Sequence, residues 1–178
     1  SSIFTATFQK AWWPLALDVL NNDSNNKLLF RKIGRFYIGI ASIGIIFLTA
    51  ISPLFVKLFI DSKYYDSWPI IGILSWQTVF LAFSNSIACL GIFKAEKTRI
   101  FLPIMAITLI QGIFLNWILV PQFGGIGAAI ATSLTFLIWS FLVMLMGNYY
   151  WPIGFDKNTL LVQLSLGIVA TTFLIIFN

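Results

Sequence analysis

Hydrophobic and polar positions along this chain fall into long blocks rather than short periods. Residues 36–60, 69–93, 100–120, 126–147 and 160–177 are each almost uniformly apolar. At 1.5 Å rise per residue, about 20 such residues cross the roughly 30 Å hydrocarbon core of a bilayer. Residues 1–17 read as the remaining part of one further helix. The pattern predicts an all-α polytopic membrane protein with one partial plus five transmembrane helices, organised as a single unit over residues 1–178.

The breaks between the blocks carry their own signals. Asp18–Lys32, DVLNNDSNNKLLFRK, is the most polar stretch, and its Asn, Asp and Ser favour turns and caps. Lys27–Arg35 reads as an amphipathic lead-in at the headgroup surface. Pro53 is expected to kink the block that contains it. Asp61–Asp66 is a polar loop, and Trp68-Pro69 opens the next helix with an interfacial aromatic and a first-turn proline. Lys94–Arg99 is a charged turn. Asn116–Thr135, NWILVPQFGGIGAAIATSLT, reads as two apolar helices joined by a tight, uncharged turn around Pro121 and Gly124-Gly125. Tyr149-Tyr150-Trp151 forms an aromatic belt before a loop with Pro152, Asp156 and Lys157.

Composition agrees with lipid as the solvent. The chain is 59% hydrophobic and 10% charged, with a mean hydropathy of +0.92, whereas soluble domains carry about 25% charged residues. Ser1 in place of an initiating Met, and an apolar run that stops at Asn178, predict a fragment of a longer membrane protein. Cys89 is the single cysteine and histidine is absent. An internal disulfide, Cys-rich zinc sites and Ser–His catalysis are therefore excluded from these residues.

The net charge of +5 follows topology, so no nucleic-acid partner is expected. Lys27, Arg31, Lys32 and Arg35 lie in the break 18–35; Lys94, Lys97 and Arg99 lie in 94–99; and Lys157 lies in 148–158. On the alternate side, the stretch Lys57–Asp66 holds only Lys57 and Lys63, and the Gly124 turn holds none. The positive-inside rule then makes 18–35, 94–99 and 148–158 cytoplasmic and turns the Gly124 hairpin outward.

Candidate chemistry is sparse. Lys10 is the charge most plausibly within a span; it either faces a polar cavity, beside Gln9, Thr5 and Thr7, or snorkels to the interface. Gln77, Thr78, Ser84 and Asn85 form one polar group, and Thr108, Gln111 and Asn116 another. Such side chains serve either as interhelical hydrogen-bonding groups or as cavity wall. In the hairpin, small residues recur every four positions: Gly124, Ala128, Thr132; Gly125, Ala129, Ser133; Gly127, Ala131, Thr135. That spacing permits close backbone approach and marks a packing seam. Trp76 and Trp139 are candidate stacking platforms for a sugar. All six acidic residues fall in the breaks, so paired carboxylates for catalysis within a span are absent and an enzyme is not expected.

The segment LNWILVPQFGGIGAAIAT (Leu115–Thr132) resembles the polysaccharide and O-antigen flippases of the multidrug/oligosaccharidyl-lipid/polysaccharide exporter superfamily. Asn116, Pro121, Gly124, Gly127, Ala128, Ala129, Ala131 and Thr132 match its pattern, and Phe8–Pro14 resembles the end of that family's eighth helix. The turn Phe-Gly-Gly-Ile-Gly carries one Gly more than the commoner Tyr-Gly-Ile-Gly. The resemblance implies most of the C-terminal lobe of a fourteen-helix alternating-access transporter in a bacterial inner membrane. It implies as cargo an undecaprenyl-diphosphate-linked oligosaccharide for lipopolysaccharide or capsule assembly. Implied partners are membrane lipids, an N-terminal lobe, and the polysaccharide polymerase and chain-length machinery. No cofactor is implied beyond a coupling ion, H+ or Na+. Lys10 and Arg35 would be the cationic cavity residues, with Gln9, Gln77, Asn85, Gln111 and Asn116 as hydrogen-bonding wall. Pro121, Gly124, Gly127, Ala128 and Ala131 form the helix-packing motif. Three alternatives remain open: a cation-coupled multidrug exporter of the same superfamily, a membrane-embedded glycan transferase or polymerase, and a non-transporting membrane scaffold.

Overall fold

The structure, a computed structural model, describes residues 10, 12–20, 26–154 and 157–177. Among them there are helices and turns and no strand. A helical segment over 12–20 precedes α1 (Asn26–Phe59). A 3-10 turn (Ser62–Ser67) follows, opened by Asp61, whose carboxylate accepts the Lys63 N–H. Next comes α2 (Trp68–Phe83), with Pro69 in its first turn, where no N–H partner is lost. A π turn (Ser84–Ala88) and α3 (Leu90–Lys94) complete this rod. A short 3-10 turn (Thr98–Ile100) leads into α4 (Phe101–Tyr150), and α5 is Lys157–Phe177. Four helical stretches, Lys27–Phe59, Trp68–Lys94, Thr98–Tyr150 and Leu160–Phe177, are long and apolar enough to cross a membrane. This is the architecture of a polytopic membrane protein.

The longest of the four doubles back. Gly124 alone within α4 leaves the helical region, at φ 55° and ψ −129°. A Cβ on Gly112 would meet Thr135 Oγ1 at 3.2 Å, and one on Gly127 would collide with the Leu119 carbonyl. The two arms therefore run antiparallel and in contact. The reversal is narrower than the sequence suggests, because Pro121 stays in the first arm and Gly125 starts the second. Pro121 carries a φ already suited to a helix, whereas the reversal needs a positive φ, which glycine takes without a side-chain clash.

The remaining contacts fix relative directions. Gly72 lies against Thr49 and Phe83 stacks on Tyr37, so α1 and α2 are antiparallel. Gln163 lies beside Gly39 and Gly167 beside Ser42, so α5 runs parallel to α1. Ser133 donates to the Ile73 carbonyl, Trp139 reaches Ser84, and Gly147 meets Gly91, so the second arm runs parallel to α2–α3. One core cluster joins Ile38, Phe83, Ile87, Ile92, Ile104 and Val143. A second, at the end of the bundle, gathers Ala16, Leu20, Phe30, Leu90, Trp151 and Ile153.

Two sequence boundaries need correction. The break 18–35 is mostly helix: residues 18–20 continue the first segment and α1 already begins at Asn26. Lys27–Arg35 is therefore the base of α1 rather than a separate surface helix. Buried Phe30, packed on Trp151, ties that base to the bundle.

Candidate functional site

The bundle is organised around α2, the most enclosed of the four spans. Gly72, Trp76, Val79, Phe80 and Phe83 are buried against its neighbours. Thr78 is exposed, while Leu74, Leu81 and Asn85 are half-buried. Their spacing of three and four places these residues along one less covered face. Gln77, half-buried, lies in the row Ile73–Gln77–Ser84 that meets the second arm of α4.

The π turn interrupts this rod where three small polar residues, Ser84-Asn85-Ser86, stand in succession. Its widened ring is closed by the Cys89 N–H on the Ser84 carbonyl, 3.0 Å. Two indoles from distant segments hold it. Trp12 Nε1 donates to the Ser86 carbonyl at 2.8 Å, and Trp139 Nε1 to Ser84 Oγ at 3.1 Å. Ser84 Oγ in turn donates to the Leu81 carbonyl, 2.9 Å. Cys89 Sγ reaches the Asn85 carbonyl at 3.2 Å, and Asn85 itself is half-buried. Single π turns inside α-helices occur frequently at functional sites. Sequence reasoning picks out Ser84 and Asn85 as polar, but not the extra residue per turn, which periodicity over so short a stretch does not reveal.

The cationic candidates flank this turn without reaching it. Lys10 is exposed, three residues before Trp13, which packs edge-on against Phe93 at 4.8 Å between ring centroids. Arg35 is exposed two residues before Tyr37, which stacks on Phe83 at 6.4 Å. Their side chains are not brought into contact with each other. Gln9, Thr5 and Thr7 lie outside the described residues.

Gln111 and Asn116 lie on the first arm of the hairpin. Asn116 Nδ2 donates to the Gly112 carbonyl at 2.8 Å, turned back on its own helix. Gln111 is different: both amide heteroatoms are enclosed and have no hydrogen-bond partner. Pro121 is exposed near the end of that arm. On the second arm Gly127 and Ala131 are buried and Ala128 is half-buried, and the Ala128 and Ala131 carbonyls accept the Thr132 and Thr135 hydroxyls at 2.7 Å.

Two grooves between helices are lined by described residues. One, of about 170 Å³, lies between α2, the second arm and α5, and is lined by Trp76, Ser133, Leu137, Thr171 and Thr172 among others. The other, of about 430 Å³, runs along α1 and is lined by Gly44, Phe47, Ile51, Ser52, Phe55 and Ile71. Neither is lined by Lys10, Arg35, Gln77, Asn85, Gln111 or Asn116. Trp76 and Trp139 are not free platforms. Trp76 is buried with its N–H 3.3 Å from Thr171 Oγ1, and Trp139 stacks on Phe101 at 6.2 Å. Their rings are committed to helix packing.

The side chains around the π turn can donate and accept hydrogen bonds but supply no titrating pair. Among the described residues, no cluster of His, Cys, Asp or Glu could hold a metal ion. No family model, curated protein or solved structure matches the chain.

Proposed function

We propose that this chain is most of the C-terminal lobe of a bacterial inner-membrane flippase that moves undecaprenyl-diphosphate-linked oligosaccharides outward by alternating access. The observation that carries the reading is the Leu115–Thr132 pattern, whose Gly124 and Gly127 stand at the reversal and at a close approach of a helical hairpin. On this reading the chain crosses the membrane five times after the 12–20 segment, because α4 crosses twice. Three basic segments then share one face: Arg31, Lys94 and Ile153 meet at one end of the bundle. That end is cytoplasmic by the positive-inside rule, and Gly124 faces outward.

A diphosphate–sugar head cannot enter hydrocarbon bare, because desolvating its charges is prohibitive. It needs a wet passage with cations for the diphosphate and hydrogen-bonding groups for the sugar. Lys10 and Arg35 would meet the phosphates at the flanks of the π turn. Gln77, Asn85, Gln111 and Asn116 would offer amides along the wall. An N-terminal lobe would close the passage from the other side, and a coupling ion would bias the two states.

The test is export of surface glycan in a flippase-deleted host expressing the full chain, with drug sensitivity scored in parallel. Restored glycan is expected, with lower export by Lys10→Ala at unchanged protein level. Drug resistance without restored glycan would transfer the chain to the drug exporters.

A further inference from the structure

Three cations from two elements gather at the base of the bundle, two of them over one indole. Lys94 Nζ lies 4.5 Å from the centroid of the Trp151 ring, and Lys27 Nζ 6.0 Å from it. Arg31, one turn along α1 from Lys27, donates from Nη2 to the Ile153 carbonyl at 3.1 Å. Lys94 also donates to the Leu20 carbonyl at 3.2 Å. Thus the partners of these three cations are two carbonyls and an indole, with no carboxylate of the described residues among them. Lys94 is separated from Lys27 by more than sixty residues in sequence, so tertiary folding, not a charged run, assembles the group.

The setting makes this concentration of charge unfavourable unless something answers it. Lys27 stands in the first turn of α1, which holds no acidic residue, where the helix dipole already presents its positive end. Arg31 Nε is enclosed without a hydrogen-bond partner among the described residues. Lys94 uses one of its three N–H donors on protein oxygen. Like charges gathered around one ring repel, and a bound anion would lessen that repulsion while filling the spare donors. Trp151, nearly buried with its ring under the amines, is a residue type that anchors at the headgroup level.

We propose that Lys27, Arg31, Lys94 and Trp151 form a binding site for the phosphate of an anionic phospholipid headgroup. Basic pockets between helices at the membrane surface recognise such headgroups. The indole floor would lie beside the glycerol region, and the amines would grip the phosphate. The site is independent of the transport reading and of what cargo is carried; it requires only that this end of the bundle lie at a membrane surface.

The test is native mass spectrometry of the full chain in detergent, titrated with phosphatidylglycerol or with phosphatidylcholine of the same acyl chains. Wild-type protein should retain phosphatidylglycerol about tenfold better. That preference should fall to near one in Lys27→Gln/Lys94→Gln and persist in Lys97→Gln/Arg99→Gln, two exposed basic residues in the turn after Lys94. Lys27→Gln alone removes no protein hydrogen bond, so its partial loss of preference keeps the test decisive if the double variant misfolds. Equal retention of both lipids, or the same loss in the Lys97/Arg99 pair, would overturn the site. Displacement of phosphatidylglycerol by equimolar undecaprenyl diphosphate would instead assign the amines to the cargo and also overturn it.

Discussion

Gln111 concentrates the functional question in one side chain. Its amide is enclosed on the first arm of the hairpin without a hydrogen-bond partner, and an unmet buried polar group costs about 1–3 kcal/mol. A residue kept only for packing would be apolar at that position. Gln111→Leu is therefore expected to raise thermal stability in detergent while lowering glycan export. Unchanged or lower stability would show that Gln111 already has a structural partner; unchanged export would remove it from the passage. The sequence marks Gln111 as polar within an apolar span, and that much is legible. Whether the amide is satisfied is not, because it depends on what the neighbouring arm places opposite, and Asn116, five residues on, bonds its own helix instead.

At the scale of elements, close helix contact is set by glycines and by the π turn. A Cβ on Gly91 of α3 would collide with the Gly147 carbonyl of α4, and one on Gly147 with the Ala88 carbonyl. Backbone meets backbone here, so relief requires moving a helix rather than a rotamer. Gly91→Ala should destabilise by about 1–3 kcal/mol, as overpacking typically does, with a lower melting temperature in detergent. Gly44→Ala, in open space on α1, should leave the melting temperature near wild type; equal losses in both variants would sink the contact argument. The hairpin seam was legible because its small residues repeat every four positions. The Gly91–Gly147 contact was not, since each glycine is isolated within an apolar run. The start of α1 is only partly legible: Lys27–Arg35 reads as a lead-in at the headgroup surface, but Phe30 packed on Trp151 makes it the base of α1 itself.

For the whole molecule, the block pattern of the sequence shows that the chain is helical and that its helices are long and apolar, because lipid imposes a length on each. The order in which they pack does not follow from length; it rests on pairs such as Thr49–Gly72, Ser133–Ile73 and Trp76–Thr171 that no periodicity names. Direction is open to test in a Cys89→Ser background. Single cysteines from Lys63→Cys and Phe123→Cys should react with an impermeant maleimide in intact spheroplasts, and Lys97→Cys only after permeabilisation. The opposite labelling would reverse the orientation. Labelling of positions 63 and 97 from the same side would contradict the crossing count.

The central claim, outward movement of a diphosphate-linked glycan lipid, is tested most directly in proteoliposomes containing the full chain. The glycan lipid is placed in one leaflet and its appearance in the other is followed by accessibility to an added lectin. Transfer well above that of protein-free vesicles, and slowed by Lys10→Ala, is the predicted result. A rate equal to that of protein-free vesicles, from protein that remains folded and expels a cationic dye, would contradict it.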